Sequence, residues 1–262
     1  MNMNIGYMKN LASLVATTKP VWFKQWFDSS FYHQLYSHRN DQEAASFIDG
    51  LIGTLDPNAE AKMLDLGCGA GRHAKYLASK GFNVTGLDLA GSSIIRAKQY
   101  EMASLQFFQH DMRIAFGKNF FDYVFNFFTS FGYFETEAEN DAVIHNIATS
   151  LKPGGTVVMD YLNSTVAAQN IVTNETKEID GVRYDITRSM SETHFFKRIA
   201  IDYQHQQGPL VFTERVAKLS VEEFRSMFSK HGLQLQEVYG DYRLNTFEVD
   251  RSPRQIMVAT KK

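Results

Sequence analysis

The residues best suited to chemistry lie between positions 64 and 88. Leu64-Asp65-Leu66-Gly67-Cys68-Gly69-Ala70-Gly71-Arg72-His73 is followed, one helix and one strand later, by Leu87-Asp88. An apolar strand running into alternating glycines lets backbone approach a ligand closely, and an acid ending the next strand is placed to accept hydrogen bonds from ribose hydroxyls. This is the pattern of a nucleotide-cofactor site. A dinucleotide site would read Gly-x-Gly-x-x-Gly, with the last glycine letting the helix pack tightly on the strand. Here the third glycine, Gly71, comes one residue early, and the long, charged Arg72 stands where that last glycine belongs. The loop is therefore expected to serve a ligand without a pyrophosphate.

The elements that must position this loop can be read from the periodicity around it. Strand-like and helix-like segments alternate over 62–66, 71–80, 83–87, 92–103, 105–109, 123–128, 137–151 and 156–162, which implies a parallel sheet built through right-handed crossovers, an α/β fold. Upstream, an aromatic-rich stretch, Val21 to Phe27 and Phe31 to Tyr36, precedes a helical stripe of Ala44, Phe47, Ile48, Leu51 and Ile52. Downstream, between Glu175 and Leu219, the alternation changes to the two-residue period of antiparallel strands, with Asp180-Gly181 as a turn. Ser220 and Glu223 form a capping box for a further helix, and strands at 233–239 and 254–260 close the chain.

Five ordered motifs resemble the class I S-adenosylmethionine-dependent methyltransferases. They are the Asp65 to Gly71 loop, Asp88, the Asp111-Met112 pair after the third strand, Phe121 to Phe125 entering the fourth, and the Leu151-Lys152-Pro153-Gly154-Gly155 turn before the fifth. The resemblance implies a Rossmann-like, seven-stranded, mostly parallel sheet with a terminal antiparallel hairpin and helices on both faces, with the antiparallel β segment as an insertion. It implies S-adenosylmethionine as cofactor and S-adenosylhomocysteine as product. It also implies that Gly67, Cys68, Gly69 and Gly71 face the cofactor, that Asp65 organises the loop or reaches the ligand amino group through water, that Asp88 and Leu89 border the ribose, and that Asp111 and Met112 hold the adenine. Three alternating glycines would weaken packing unless a ligand justified them.

The segment Asn126 to Tyr133 leaves the fourth strand toward the crevice where open α/β sheets bind ligands, so Phe127 and Phe128 are expected beside the cofactor and Ser130 and Tyr133 beside the acceptor. It lacks the Pro-Pro-aromatic signature of nucleic-acid adenine methyltransferases. The one cysteine, Cys68, already belongs to the glycine loop, which leaves none to act as a cytosine-attacking nucleophile. The Tyr32 to Tyr36 segment resembles the N-terminal lid helix of glycine N-methyltransferase, which implies Tyr36 and Arg39 at the methionine end of the cofactor. An activated methyl donor needs alignment more than acid–base help, so no base is read from the sequence. His33, Tyr133 and Tyr161 stand as candidates, and Tyr32, Tyr161 and Arg254 join Ser130 and Tyr133 as acceptor-pocket candidates.

Length and composition bound the remaining classes. The 262 residues, 44% hydrophobic, suffice for one domain with a full core. Residues 1–262 are read as a single methyltransferase domain, comprising an N-terminal helical lid (1–55), a cofactor-binding core (56–165), an antiparallel insertion roofing the substrate (175–219), and a final helix and hairpin (220–262). A net charge of −2 supplies no broad basic field and argues against a nucleic-acid partner. A single cysteine suits a reducing compartment and excludes a multi-cysteine metal site. With no signal-like or membrane-spanning run, the expectation is a cytoplasmic, metal-free monomer or homodimer acting on a nitrogen or oxygen of a small molecule; the alternatives are a nucleic-acid or protein methyltransferase of the same fold, a non-catalytic S-adenosylmethionine-binding protein and, less favoured, an NAD-dependent oxidoreductase.

Overall fold

The computed structural model describes residues 22–37, 41–127, 129–203 and 208–262. Seven strands form one sheet: β1 (Lys62–Leu66), β2 (Asn83–Asp88), β3 (Leu105–Gln109), β4 (Phe121–Asn126), β5 (Leu151–Leu162), β10 (Leu233–Tyr239) and β11 (Arg254–Lys261). Their spatial order is β10-β11-β5-β4-β1-β2-β3. The strands β1 to β5 run parallel, and β11 lies antiparallel between β5 and β10. Strand order reverses at β1, which pairs with β2 on one side and β4 on the other. A crevice opens at the carboxyl ends of the strands at such a reversal, and the glycine loop leaves β1 there.

The parallel strands are nearly continuous apolar runs because helices cover both faces. One face buries Leu64, Leu66, Val124, Val157 and Met159 with Ile144, Ile147, Phe224 and Phe228. The other buries Met63, Val84, Phe125 and Val258 with Phe47, Ile48, Leu51 and Leu77. Helix α3 (Asp41–Leu55) supplies the last-named stripe from Phe47 to Leu51, and α4 (Arg72–Ser79) follows the glycine loop. Capping boxes start α6 (Glu137–Ser150) at Thr136 and α8 (Val221–Lys230) at Ser220. Several boundaries differ from the sequence expectation: the helix expected over 92–103 spans Gly91–Ala97 and tightens into a 3-10 turn at Lys98–Tyr100, and two strands are shifted. The fourth strand spans Phe121–Asn126 rather than 123–128, and the fifth begins at Leu151, because Phe121 pairs with Leu151 before the register shifts around the Pro153-Gly154-Gly155 turn.

A second, antiparallel sheet contains β6 (Asn174–Ile179), β7 (Val182–Met190), β8 (His194–Asp202) and β9 (Leu210–Ala217), in that order. Asp180 and Gly181 both have positive φ in the two-residue turn joining β6 and β7. Short helices α1 (Trp22–Phe27) and α2 (Ser30–Leu35) pack on this sheet through Trp26, Leu35, Tyr184, Ile199 and Ile201. Trp22 and Phe27 also meet Tyr133 of the main unit edge-on or tilted, at 5.7 and 5.1 Å between ring centroids. The N-terminal helices therefore join the insertion sheet to the carboxyl end of the main sheet.

Candidate functional site

The loop after β1 owes its shape to three left-handed glycines, Gly67, Gly69 and Gly71, with φ of 81, 54 and 84°. They are bare for different reasons. A Cβ on Gly67 would lie 2.6 Å from Ser130 Cβ and one on Gly71 2.6 Å from Phe107 Cζ, so these two glycines permit close internal packing. A Cβ on Gly69 would meet nothing within 4 Å, so this residue presents backbone to open space. The expectation that a ligand alone justifies all three glycines is thus corrected: two of them are required by the neighbouring side chains.

Asp88 ends β2 with both carboxylate oxygens occupied by this turn region. Oδ2 accepts from the Gly69 amide at 2.7 Å and Oδ1 from the Ala90 amide at 2.8 Å. Burial pushes its carboxyl above the usual range despite those bonds. Asp65 is 1% exposed, and its Oδ2 accepts from the Ala74 amide at 3.1 Å. Its Oδ1 has no partner among the described residues, nor has the buried Oδ1 of Asn126, whose Nδ2 donates to Leu66 at 2.7 Å. Burial, reinforced by the charge of Asp88, pushes the Asp65 carboxyl up to about 7. Cys68 is buried, and burial raises its thiol well above the ordinary range, which leaves it unreactive.

These groups border a cavity of about 660 Å³. Gly67, Cys68, Gly69, Asp88, Leu89, Asp111, Met112, Phe127, Ser130 and Tyr133 line it from the main sheet, and Tyr32, His33 and Tyr36 from the N-terminal helices. The structure thus gathers thirteen of the sequence-singled residues at one place. Burial pulls the Asp111 carboxyl upward, but the hydrogen bonds and charge of Arg113 outweigh it and hold the group below the usual carboxylate range. Arg113 binds both Asp111 oxygens, with Nη2 at 2.7 Å from Oδ2, and continues to Glu139. His33 Nε2 stands 3.2 Å from Ser92 Oγ, and the Tyr133 hydroxyl donates to the Thr129 carbonyl.

Other candidates fall elsewhere. Asp65 and Gly71 sit behind the lining, one holding the start of α4 and the other packed on Phe107. Tyr161 is fully buried beside Phe131 and Phe224 and donates to the Ala217 carbonyl at 2.7 Å, so the structure moves it from the pocket to the core, where burial drives its phenol far above the usual range. Arg254 is also corrected: it is held by the buried Asp160 at 2.8 Å, with Tyr242 on the other carboxylate oxygen, and reaches the cavity only through Thr129 Oγ1 at 3.2 Å. Arg39 and Phe128 lie outside the described residues.

Sequence reasoning missed Phe23, Phe27, Arg96, Thr129 and Glu214, all of which line the cavity. Thr129 takes a left-handed φ of 72°, a conformation that a β-branched residue adopts at a cost. Glu214 was detectable in principle. In Leu210-Val211-Phe212-Thr213-Glu214 it shares the parity of Leu210 and Phe212, so a charge stands on the face that the apolar residues mark as inward.

A methyltransferase-domain family model matches residues 63–155. A protein of Geobacillus sp. (strain WCH70), named as a methyltransferase, is 26% identical over 251 residues, covering 91% of this chain and 98% of its own. The domain is thereby decided. The chain carries a class I S-adenosylmethionine-dependent methyltransferase domain. A dTDP-3-amino-3,4,6-trideoxy-alpha-D-glucopyranose N,N-dimethyltransferase of Streptomyces venezuelae is 31% identical over 132 residues, 49% of this chain and 54% of that one. At the level of fold, an S-adenosylmethionine-dependent methyltransferase from Clostridium acetobutylicum superposes with a TM-score of 0.73 at 15% identity, over 88% of this chain and 96% of that one. The protein is thus a methyltransferase whose methyl donor is S-adenosylmethionine. The cavity fits such a donor: Gly69 leaves room at its wall, the carboxylates of Asp88 and Asp111 stand beside the apolar Leu89 and Met112, and two buried acceptor atoms next to the loop lack partners among the described residues. Among the described residues no helix is long and apolar enough to cross a membrane, and no group of His, Cys, Asp and Glu is arranged to hold a metal ion.

Proposed function

We propose that this methyltransferase transfers the methyl group to a nitrogen or oxygen of a small molecule, acting in the cytoplasm as a monomer or homodimer without a nucleic-acid partner. The observation that carries this reading is that the cavity is walled on two sides. Tyr32, His33 and Tyr36 from the N-terminal segment and Glu214 and Val216 from β9 face the glycine loop across about 660 Å³, a space on the scale of small-molecule sites. The amino sugar named for the Streptomyces venezuelae relative is an acceptor of this size class.

When bound, S-adenosylmethionine supplies a methyl group on a sulfonium, already an activated leaving group. In this reading the backbone of Gly67, Cys68 and Gly69 lies along the donor, with Gly71 and Asp65 shaping the turn behind it. Asp88, beside Leu89, accepts from the ribose hydroxyls. Asp111 uses the lone pairs that Arg113 leaves free to accept from the adenine amine, and the Met112 amide meets the ring. Tyr36 borders the methionine end and Phe127 the donor, while Tyr32, Ser130 and Tyr133 border the acceptor. His33 and Tyr133 remain the candidates among the sequence-singled residues for receiving a proton. The chain's main contribution is orientation, holding the acceptor in line with the methyl carbon and excluding water.

Titration calorimetry tests the donor site. Heat is expected with S-adenosylmethionine and S-adenosylhomocysteine and none with NADH; binding of NADH with silence from both sulfur ligands would overturn the reading. Screening amines, alcohols, phenols and acids for release of S-adenosylhomocysteine then identifies the acceptor.

A further inference from the structure

The core face of the insertion sheet carries an irregularity with chemical content. Tyr184 pairs with Ile201 and Ile186 with Ile199, and these apolar rows pack on the N-terminal helices. One row further along the same face, Arg188 pairs with Lys197 and Lys197 with Glu214. The next row returns to apolar character, with Phe195 opposite Val216. Three charges facing inward between apolar rows are unfavourable to the sheet itself, and departures of this kind concentrate at functional sites.

The three charges are not equivalent. Arg188 is neutralised by Glu175 at 2.6 Å and also donates to the Val172 carbonyl at 3.2 Å. Lys197 donates to the Tyr36 hydroxyl, and burial draws its ammonium below the usual lysine range. Glu214 is hydrogen-bonded through one oxygen only, among the described residues. Its Oε1 accepts from Trp26 Nε1 at 2.7 Å and from the Tyr36 hydroxyl at 2.8 Å. Its Oε2 has Lys197 Nζ at 3.9 Å, beyond hydrogen-bond reach, and no donor among the described residues. The carboxylate is thus fixed in orientation with one acceptor oxygen open, and its side chain is only 14% exposed.

Its position gives that oxygen a use. A second cavity, of about 520 Å³, adjoins the donor cavity, and Leu162, Glu214 and Val216 line both. Beyond this shared wall the apolar side chains of Ile171, Val172, Phe195 and Phe196 face the second cavity, and the Arg188, Lys197 and Glu175 charges stand along one side of it. We propose that Glu214 Oε2 receives the N–H or O–H of the acceptor's nucleophilic group, and that the acceptor's apolar body occupies the second cavity. The inference rests on the reading of the first cavity as the donor site. It names the substrate class as amines, alcohols or phenols carried on an apolar body, and it disfavours a carboxylate as the reacting head group, whose charge would face Glu214 Oε2 at contact distance. In the transfer, the acceptor's lone pair forms the bond to the methyl carbon while the electron pair of the breaking C–S bond stays on sulfur. The proton shed by the methylated nitrogen or oxygen passes to Glu214 Oε2 and then to solvent.

The test uses full-length protein saturated with S-adenosylhomocysteine and a fragment library in which each alkyl- or aryl-substituted body is presented as amine, phenol and carboxylate, with binding read by ligand-observed NMR and calorimetry. Failure to bind S-adenosylhomocysteine counts against the donor-site reading alone. Once that ligand is bound, amines or phenols are expected among the hits and their carboxylate analogues are not. Glu214→Gln keeps an acceptor for Trp26 and Tyr36 and is expected to weaken the hits about tenfold, or about 1.4 kcal/mol. Val216→Trp, narrowing the shared wall, is expected to weaken large-bodied hits more than small ones. An absence of amine and phenol hits, carboxylates binding as well as the other heads, or unchanged affinity in Glu214→Gln overturns the proposal.

Discussion

Replacing Asp88 by asparagine separates its loop-holding duty from the ribose contact proposed for it. In the free protein its carboxylate accepts from the Gly69 and Ala90 amides at 2.7 and 2.8 Å. Asparagine keeps one acceptor oxygen but turns an NH2 group toward the other amide, leaving a buried donor unsatisfied at about 1–3 kcal/mol. Part of that loss is offset, because burial disfavours the Asp88 charge in the folded protein. Ligand binding carries a separate cost. Ribose hydroxyls donating to a carboxylate make charge-assisted bonds of about 1.5–3 kcal/mol, so Asp88→Asn is expected to weaken S-adenosylhomocysteine about ten- to hundredfold. Calorimetric titration measures the second effect, and thermal unfolding without ligand measures the first. A variant that melts lower yet binds S-adenosylhomocysteine as tightly as wild type would reduce Asp88 to a loop-holding residue and refute its ribose role.

Two further outcomes are expected. Asp65, pushed up to about 7 in the folded protein, has a pKa of about 3.9 when unfolded, so the folded state holds the extra proton between those values and stability falls as pH rises through that window. Asp65→Asn should remove a term of up to about 4 kcal/mol, from roughly three units at 1.36 kcal/mol each. Urea unfolding of both proteins from about pH 4 to about pH 8 checks this, and a pH-independent difference between them would contradict it. Gly69→Ala and Gly71→Ala both strain a positive φ, by about 1–2 kcal/mol, but only the second drives a Cβ to 2.6 Å from Phe107. Gly71→Ala is therefore expected to melt lower and Gly69→Ala to lose donor affinity at a milder stability cost; equal melting temperatures would argue against the packing role given to Gly71.

Much of the main sheet was legible because its signals are local. The strands at 62–66, 105–109 and 233–239 coincide with their expected spans, and the capping box at Ser220 starts α8. The boundaries of β4 and β5 were not, because they depend on the pairing of Phe121 with Leu151, two residues that sequence periodicity does not relate. The meeting of the glycine loop with Asp88 was readable for the same reason as the strands: glycine spacing and an acid at a strand end sit within one strand–helix–strand unit, where chain geometry alone brings them together.

The acceptor side was decided by packing. From sequence, Tyr161 and Arg254 have chemistry at strand ends; in three dimensions Tyr161 faces the core and Arg254 is taken by Asp160. Conversely, Glu214 reaches Tyr36, a residue 178 positions away, only because the insertion sheet and the N-terminal helices meet over the crevice. The sequence by itself determined the fold, the donor and the course of the glycine loop, since these follow from short-range spacing and backbone permissiveness. The tertiary structure decided which polar side chains face the two cavities, because that choice depends on contacts between segments far apart in the chain.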